Sequence, residues 1–167
     1  NWPASQRPKC WFSTIDSQVA GYGWCTAHKD TCFISSATSE LLVITFPCQP
    51  FSDMNGRRWV PYAWKEHPLF KVAVRTIAHF RQRKPRHAVF ENVTGMTART
   101  HKDAHTPLEW FIDELTRDGG VAVRTLLLPG RVLLDVPRER LYIVTASGAE
   151  GAYTIARIHE IVAATLN

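Results

Sequence analysis

The clearest hydrophobic pattern in the chain is the continuous apolar run at residues 41–46, which ends at Pro47. A short run of this kind, rich in β-branched residues and closed by a proline, predicts a strand that is buried on both faces. The residues before it are interrupted by prolines and glycines and have no clear period. We therefore predict that they form loops with at most one short strand.

Three later segments have the 3.6-residue period of a helix with one apolar face. The first follows Pro68, has the apolar positions Phe70, Val74, Ile77 and Phe80, and closes with the basic run at 81–86, which is typical of a solvated helix end. The second begins at Thr106-Pro107 and ends at residues 118–120, and the third spans 153–166. Their inner faces are predicted to hold Leu108, Phe111, Ile112 and Leu115, and then Ile155, Ile158, Val162 and Leu166.

Apolar segments between these helices predict further strands at 88–90, 121–128 and 140–147. The alternation of strands and helices predicts an α/β fold with a mostly parallel sheet flanked by helices. We divide the chain into an irregular segment, 1–39, and a core, 40–167.

Composition narrows the class of protein. The 167 residues are 45% hydrophobic and 21% charged, which excludes disorder as the main state, and no apolar run is long enough to predict a membrane span or a secretory signal. The net charge of +5 suits a polyanionic partner such as nucleic acid without establishing one. The four cysteines form no CxxC pair, so we expect reduced thiols and no metal site.

Candidate chemistry lies where two predicted strands end. Cys48 stands between Pro47 and Pro50 after the first strand, and Glu91 follows the strand at 88–90. Ligands collect at the carboxyl ends of parallel strands, where a thiol and a carboxylic acid could act as nucleophile and proton donor. The alternatives are a buried structural cysteine and a glutamate that begins a loop.

The same residues carry a family resemblance. The segment Pro47 to Ser52, PCQPFS, resembles the catalytic loop of the cytosine-5 DNA methyltransferases, and the later ENV that starts at Glu91 resembles their second signature. The Leu-Phe that follows His67-Pro68 and the segment at 136–144 are similar to two further motifs. All four occur in the family's order and together cover residues 40–146.

The resemblance implies a partial Rossmann-like fold that uses S-adenosylmethionine to methylate C5 of a cytosine flipped out of DNA. It implies that Cys48 adds to C6 of the base, that Glu91 contacts its N3 and amino edge, and that Asn92 orients the loop. Arg138 and Arg140 match the arginines that hold the base or the carboxylate. It implies cofactor contacts at Pro47 and Leu69, and DNA contacts at Gln49, Ser52, Arg57 and Arg58, with 52–66 as a mobile loop.

The sequence departs from the family pattern in three ways. No Phe-x-Gly-x-Gly cofactor motif is found, since the nearest candidate, at residues 20–23, lies only 25 residues before Cys48. Val136 replaces the glutamine of the family's QxRxR segment, and no room remains for a target-recognition domain. We therefore expect a fragment that lacks the first strands of its sheet, with an exposed apolar edge, modest stability and missing flanking parts of a parent methyltransferase as its partners.

Two other functions remain open at this point. The chain could be a catalytically inactive remnant that binds nucleic acid through its basic surface, or a tRNA cytosine-5 methyltransferase. A DNA substrate implies the nucleus in a eukaryote, and the cytoplasm or nucleoid in a bacterium.

Overall fold

The computed structural model describes residues 22–25, 29–33, 40–57, 60–99, 105–128, 139–148 and 151–166. The strands are β1 (Tyr22–Cys25), β2 (Asp30–Phe33), β3 (Leu41–Thr45), β4 (His87–Val93), β5 (Val121–Leu128) and β6 (Arg140–Ser147). The helices are α1 (Ala63–Glu66), α2 (Phe70–Arg83), α3 (Pro107–Thr116) and α4 (Gly151–Leu166), and a 3₁₀ turn (Thr94–Thr97) follows β4.

The main sheet has four strands in the order β3-β4-β6-β5. β3 and β4 are parallel, whereas β6 is antiparallel to both of its neighbours, β4 and β5. Three of the four strands therefore point in one direction, and β6 runs against them between β4 and β5. The predicted α/β fold with helices on its sheet is confirmed, and the reversal of β6 refines the prediction of a mostly parallel sheet.

One face of the sheet packs against α2 and α3 and forms the main core. The strand period places Phe90 of β4 opposite Ile44 of β3 and opposite Ile143 of β6, so all three point to the same face. Phe111 of α3 packs on this layer, with its ring 5.3 Å from that of Phe90. The core residues from α2 are Val72, Ala73, Ile77 and Phe80.

The opposite face is covered over part of its area by α4, whose Ile155 packs with Val144 and Ala146 of β6. The side chains of Val162 and Leu166, predicted to lie on the inner face of this helix, are outside the described residues. On β3, at the sheet edge, Leu41 is 56% exposed and Val43 is 63% exposed. The prediction that this strand is buried on both faces is therefore wrong, and the expected exposed apolar edge is observed.

Two local predictions also differ from the structure. Val74, predicted on the inner face of α2, is 42% exposed, because the helix turns Val72 and Ala73 toward the core instead. β1 and β2 form an antiparallel hairpin in a region where we predicted loops and one short strand at most.

The division of the chain at residue 40 stays a prediction. Among the described helices, none has the length and apolar character needed to cross a bilayer.

Candidate active site

Two strand ends form the base of the site. β3 and β4 run in parallel with Thr45 opposite Glu91, so both strands deliver their following residues to the same edge of the sheet. Asn92 is buried, and its side-chain Nδ2 donates a hydrogen bond to the carbonyl oxygen of Phe46 over 3.0 Å. Its Oδ1 accepts one from the amide of Val93. Asn92 therefore ties the end of β4 to the start of the cysteine loop.

The cysteine loop is held by its own hydrogen bonds. The amide of Phe51 donates to the carbonyl of Cys48 over 2.9 Å, which closes a turn over residues 48–51. Asn55 Nδ2 donates to the carbonyl of Pro50 over 3.0 Å, and the ring of Phe51 is buried. Cys48 is a free, half-buried thiol. These hydrogen bonds hold Cys48 in a defined turn at the end of β3.

The residues after the turn are anchored at both ends. Trp64 in α1 is 3% exposed and packs between the rings of Phe51 and Phe70, at centroid distances of 6.2 and 5.1 Å. Trp110 of α3 contacts the same indole at 5.5 Å. The segment predicted as a mobile loop is thus fixed to the core through Phe51 and Trp64, and its outer part, residues 53 and 54, is exposed.

An ion pair lies beside the thiol loop. Arg140 Nε is 2.7 Å from Glu91 Oε1, and the two side chains are 26% and 27% exposed. Arg140 is directly opposite Val93 in the β4–β6 ladder, which places its side chain on the same face as that of Glu91, two residues earlier. The antiparallel insertion of β6 between β4 and β5 is what creates this contact.

These groups line one cavity of about 520 Å³. Among the residues predicted from sequence, it brings together the thiol, the carboxylate, the amide and one arginine, together with both apolar positions proposed for the cofactor. The lining residues are Thr45, Phe46, Pro47, Cys48, Gln49, Leu69, Glu91, Asn92, Val93 and Arg140.

The remaining predicted residues lie elsewhere. Ser52 follows the turn, and its hydroxyl accepts a hydrogen bond from the amide of Met54 over 2.9 Å. Arg57 is exposed and forms a 2.8 Å ion pair with Glu66, across the loop. Arg58 and Arg138 are outside the described residues.

Sequence reasoning missed three residues in the cavity wall. Thr45 and Val93 share the face of Glu91, and the two-residue period of strands could have identified them once β3 and β4 were paired. Phe46 had no such signal, because it contributes after its strand has ended.

Among the described residues, no group of three or more His, Cys, Asp or Glu side chains could hold a metal ion.

Comparison with known proteins decides the family. The family model for the C-5 cytosine-specific DNA methylases matches residues 26–152, which is most of the chain. The chain belongs to this family. Three of the residues on which the motif resemblance rests, Cys48, Glu91 and Arg140, line the cavity. The family is described by its specificity for C5 of cytosine.

Solved methyltransferases give a weaker likeness. The chain is similar to the Dnmt2 methyltransferase of S. pombe, with 16% identity, a TM-score of 0.42, and coverage of 67% of this chain and 30% of that one. It is similar to the methyltransferase EhMeth of Entamoeba histolytica, with 15% identity, a TM-score of 0.45, and coverage of 79% and 42%. This methylase chain thus spans less than half of either protein. No curated protein gives a match.

Proposed function

We propose that the protein is an S-adenosylmethionine-dependent DNA cytosine-5 methyltransferase in which Cys48 forms a covalent adduct with the target base. The observation that carries this proposal is the single cavity that holds Cys48 together with the ion pair of Glu91 and Arg140. A family match alone would not require these side chains to meet. Their meeting gives a nucleophile and an acid that can act on one base.

Cys48 supplies the nucleophile. Its thiolate adds to C6 of cytosine, the S–C6 bond forms, and the electron pair of the C5–C6 double bond becomes available at C5. After methylation at C5, loss of the C5 proton to a base re-forms the double bond and breaks the S–C6 bond. The 48–51 turn keeps the sulfur at the cavity wall throughout, because its hydrogen bond fixes the loop.

Glu91 and Arg140 act on the other edge of the base. The carboxyl group of Glu91 contacts N3 and the exocyclic amine, and it stabilises the protonated ring while C6 is attacked. Arg140 holds this carboxylate in place through the 2.7 Å contact. Asn92 keeps Glu91 and the cysteine loop in register through its bond to Phe46.

The described residues fit the reactive end of the cofactor. Pro47 and Leu69 provide apolar wall in the same cavity as the thiol, where a methyl group could approach C5. S-adenosylmethionine would supply that methyl group from its sulfonium centre, with the neutral thioether S-adenosylhomocysteine as the leaving group. Among the described lining residues, Glu91 is the only carboxylate. The hydroxyl groups of the cofactor's ribose would therefore need hydrogen-bond acceptors outside this lining.

DNA is the proposed substrate because the cysteine loop continues into polar and basic residues. Gln49 lines the cavity, and Ser52 and Arg57 lie farther along the same loop. Arg57 and Arg58 offer charge to phosphates, and the chain carries a net charge of +5. A DNA substrate implies a nuclear site in a eukaryote, and a cytoplasmic or nucleoid site in a bacterium.

Mechanism-based trapping tests the proposal. The protein is incubated with S-adenosylmethionine and duplex DNA that contains 5-fluorocytosine, in which the fluorine blocks loss of the C5 substituent, and the product is resolved on a denaturing gel. We expect a stable protein–DNA adduct whose modified peptide contains Cys48. Normal cytosine is the control substrate and should leave no stable adduct.

Variants separate the two halves of the site. Cys48→Ser should abolish the adduct, and Glu91→Gln should slow its formation. The matched control Glu160→Gln, at an exposed position on α4, should form the adduct at the wild-type rate. An adduct that persists in Cys48→Ser would overturn the mechanism. Adducts on 5-fluorocytosine tRNA but not on DNA would identify an RNA enzyme, and salt-sensitive DNA binding without any adduct would identify a binding remnant.

A further inference from the structure

Gly95 lies in the 3₁₀ turn after β4, where the backbone of the cysteine loop passes unusually close. A Cβ atom added to Gly95 would lie 1.9 Å from the carbonyl oxygen of Phe51 and 3.1 Å from its carbonyl carbon. Both are backbone atoms, which cannot rotate away as the end of a side chain could. Any residue other than glycine would therefore displace either the 3₁₀ turn or the loop.

The 3₁₀ turn has little room to yield. Met96, its next residue, is completely buried. Thr97 Oγ1 donates to the carbonyl of Thr94 over 2.8 Å, and the amide of Ala98 donates to the carbonyl of Gly95 over 3.2 Å. A side chain at position 95 would therefore act mainly on the segment opposite, which contains Phe51.

A displacement of Phe51 would reach Cys48. The Phe51 amide donates the hydrogen bond that closes the 48–51 turn, so the two residues move as one unit. The Phe51 ring is buried and meets the ring of Phe46 edge-on at 6.0 Å, which prevents the loop from sliding along the core. The turn itself, and with it the sulfur, is the part that can shift.

We propose that Gly95 is a positioning residue for Cys48. Because Gly95 has no Cβ atom, the 3₁₀ turn can contact the Phe51 carbonyl, and this contact determines the position of the thiol. The catalytic consequence rests on the proposed function, whereas the geometric part does not. Reacting groups tolerate little misplacement, since an error of about 1 Å can lower a rate about 100-fold.

The test compares Gly95→Ala with Gly56→Ala in the same protein. Gly56 is a loop glycine at which an added Cβ would meet no atom within 4 Å, so it controls for the loss of glycine near the site. Amide hydrogen exchange is measured for Phe51 and for Ile77 of α2, and kcat and KM are measured for methyl transfer to DNA. Exchange at Ile77 reports whether the core remains folded.

In Gly95→Ala we expect the protection of the Phe51 amide to fall about tenfold, which corresponds to the loss of one hydrogen bond, with protection at Ile77 unchanged. We expect kcat to fall about 100-fold with little change in KM, because the thiol moves while the bound base does not. Gly56→Ala should keep wild-type protection at the Phe51 and Ile77 amides, because its added Cβ meets no atom within 4 Å.

The proposal is wrong if Gly95→Ala keeps wild-type protection at Phe51, or if protection at Ile77 falls equally, since Gly95 would then serve packing throughout the domain. It is also wrong if KM rises while kcat is kept. If the wild type transfers no methyl group, the proposed function fails, and the exchange data alone decide whether Gly95 positions the loop.

Discussion

Arg140 and Glu91 meet diagonally across the antiparallel ladder of β4 and β6, with Nε 2.7 Å from Oε1. Both side chains are about three-quarters removed from solvent, so the contact is stronger than an exposed ion pair and fixes the carboxylate toward the cavity. The acid of the site is thus held by a strand that follows it by some fifty residues.

Removal of this arginine should impair catalysis more than folding. In Arg140→Leu we expect kcat for methyl transfer to fall about 100-fold, because Glu91 loses its orientation toward the base. Arg140→Lys should recover part of the loss, since an ammonium keeps the charge but not the planar geometry. Steady-state kinetics measure this, with the exposed change Arg157→Lys on α4 as control. A wild-type kcat in Arg140→Leu would refute the role.

The buried amide of Asn92 should matter for stability as well as for the site. Asn92→Leu removes the donor to the Phe46 carbonyl and leaves that oxygen without this bond, at a cost of about 1–3 kcal/mol in the free energy of unfolding. Urea denaturation followed by circular dichroism measures the change. A variant as stable as the wild type would mean that water replaces the bond.

The start of α3 is fixed by a capping box. Thr106 Oγ1 accepts from the amide of Glu109, whose carboxylate accepts from the amide of Thr106 over 2.8 Å. Thr106→Ala should lower the free energy of unfolding by about 1 kcal/mol. Because α3 carries Trp110 and Phe111 against the site, thermal melts should show the loss together with faster exchange at the start of the helix. Unchanged exchange there would contradict this interpretation.

The same box should make stability depend on acid. The hydrogen bond from the Thr106 backbone lowers the pKa of Glu109 below its ordinary value, with smaller help from Arg99. A carboxyl group with a lowered folded pKa stabilises the fold above its unfolded pKa and loses that contribution as pH falls through the folded one. The free energy of unfolding, measured by urea denaturation between pH 6 and 3, should fall less steeply in Glu109→Gln than in the wild type. The difference should be small because this side chain is exposed. An equal slope in both proteins would exclude a contribution from Glu109.

His79 on α2 should add a dependence nearer neutral pH. Burial, and then the charge of Arg83, lowers the pKa of this imidazole. The unfolded state therefore binds a proton at a higher pH than the folded state, so stability falls as pH drops below the unfolded pKa, near 6.5. Melting temperatures at pH 7.5 and 5.5 should differ more in the wild type than in His79→Gln. Equal differences would show that His79 does not titrate between the two states.

Much of the candidate site could be predicted because local chemistry specifies it. Pro47 ends β3 and leaves Cys48 in a loop, and the alternation in β4 turns Phe90 inward and Glu91 toward the cavity. The Thr106-Pro107 pair marks the start of α3 for the same kind of reason, because a capping hydroxyl and a fixed φ act within a single turn. These signals need no knowledge of distant residues.

Other features were beyond sequence reasoning because they depend on which strands become neighbours. The apolar run of β3 predicted burial on both faces, yet its edge position leaves Leu41 and Val43 exposed. The hydrophobicity of a segment indicates that its strand is apolar, but it does not indicate which elements cover the two faces of that strand. The close approach of Gly95 to Phe51 likewise joins residues 44 positions apart and has no local signature.

The sequence by itself determined the thiol, the carboxylate and the ends of the strands that carry them, since turns and periods act over a few residues. Only the tertiary structure decided that β6 enters the sheet in reverse between β4 and β5, which brings Arg140 to Glu91. Strand order is set by long-range pairing and packing of whole faces, and the free energy of that arrangement belongs to the assembled sheet, not to any one segment.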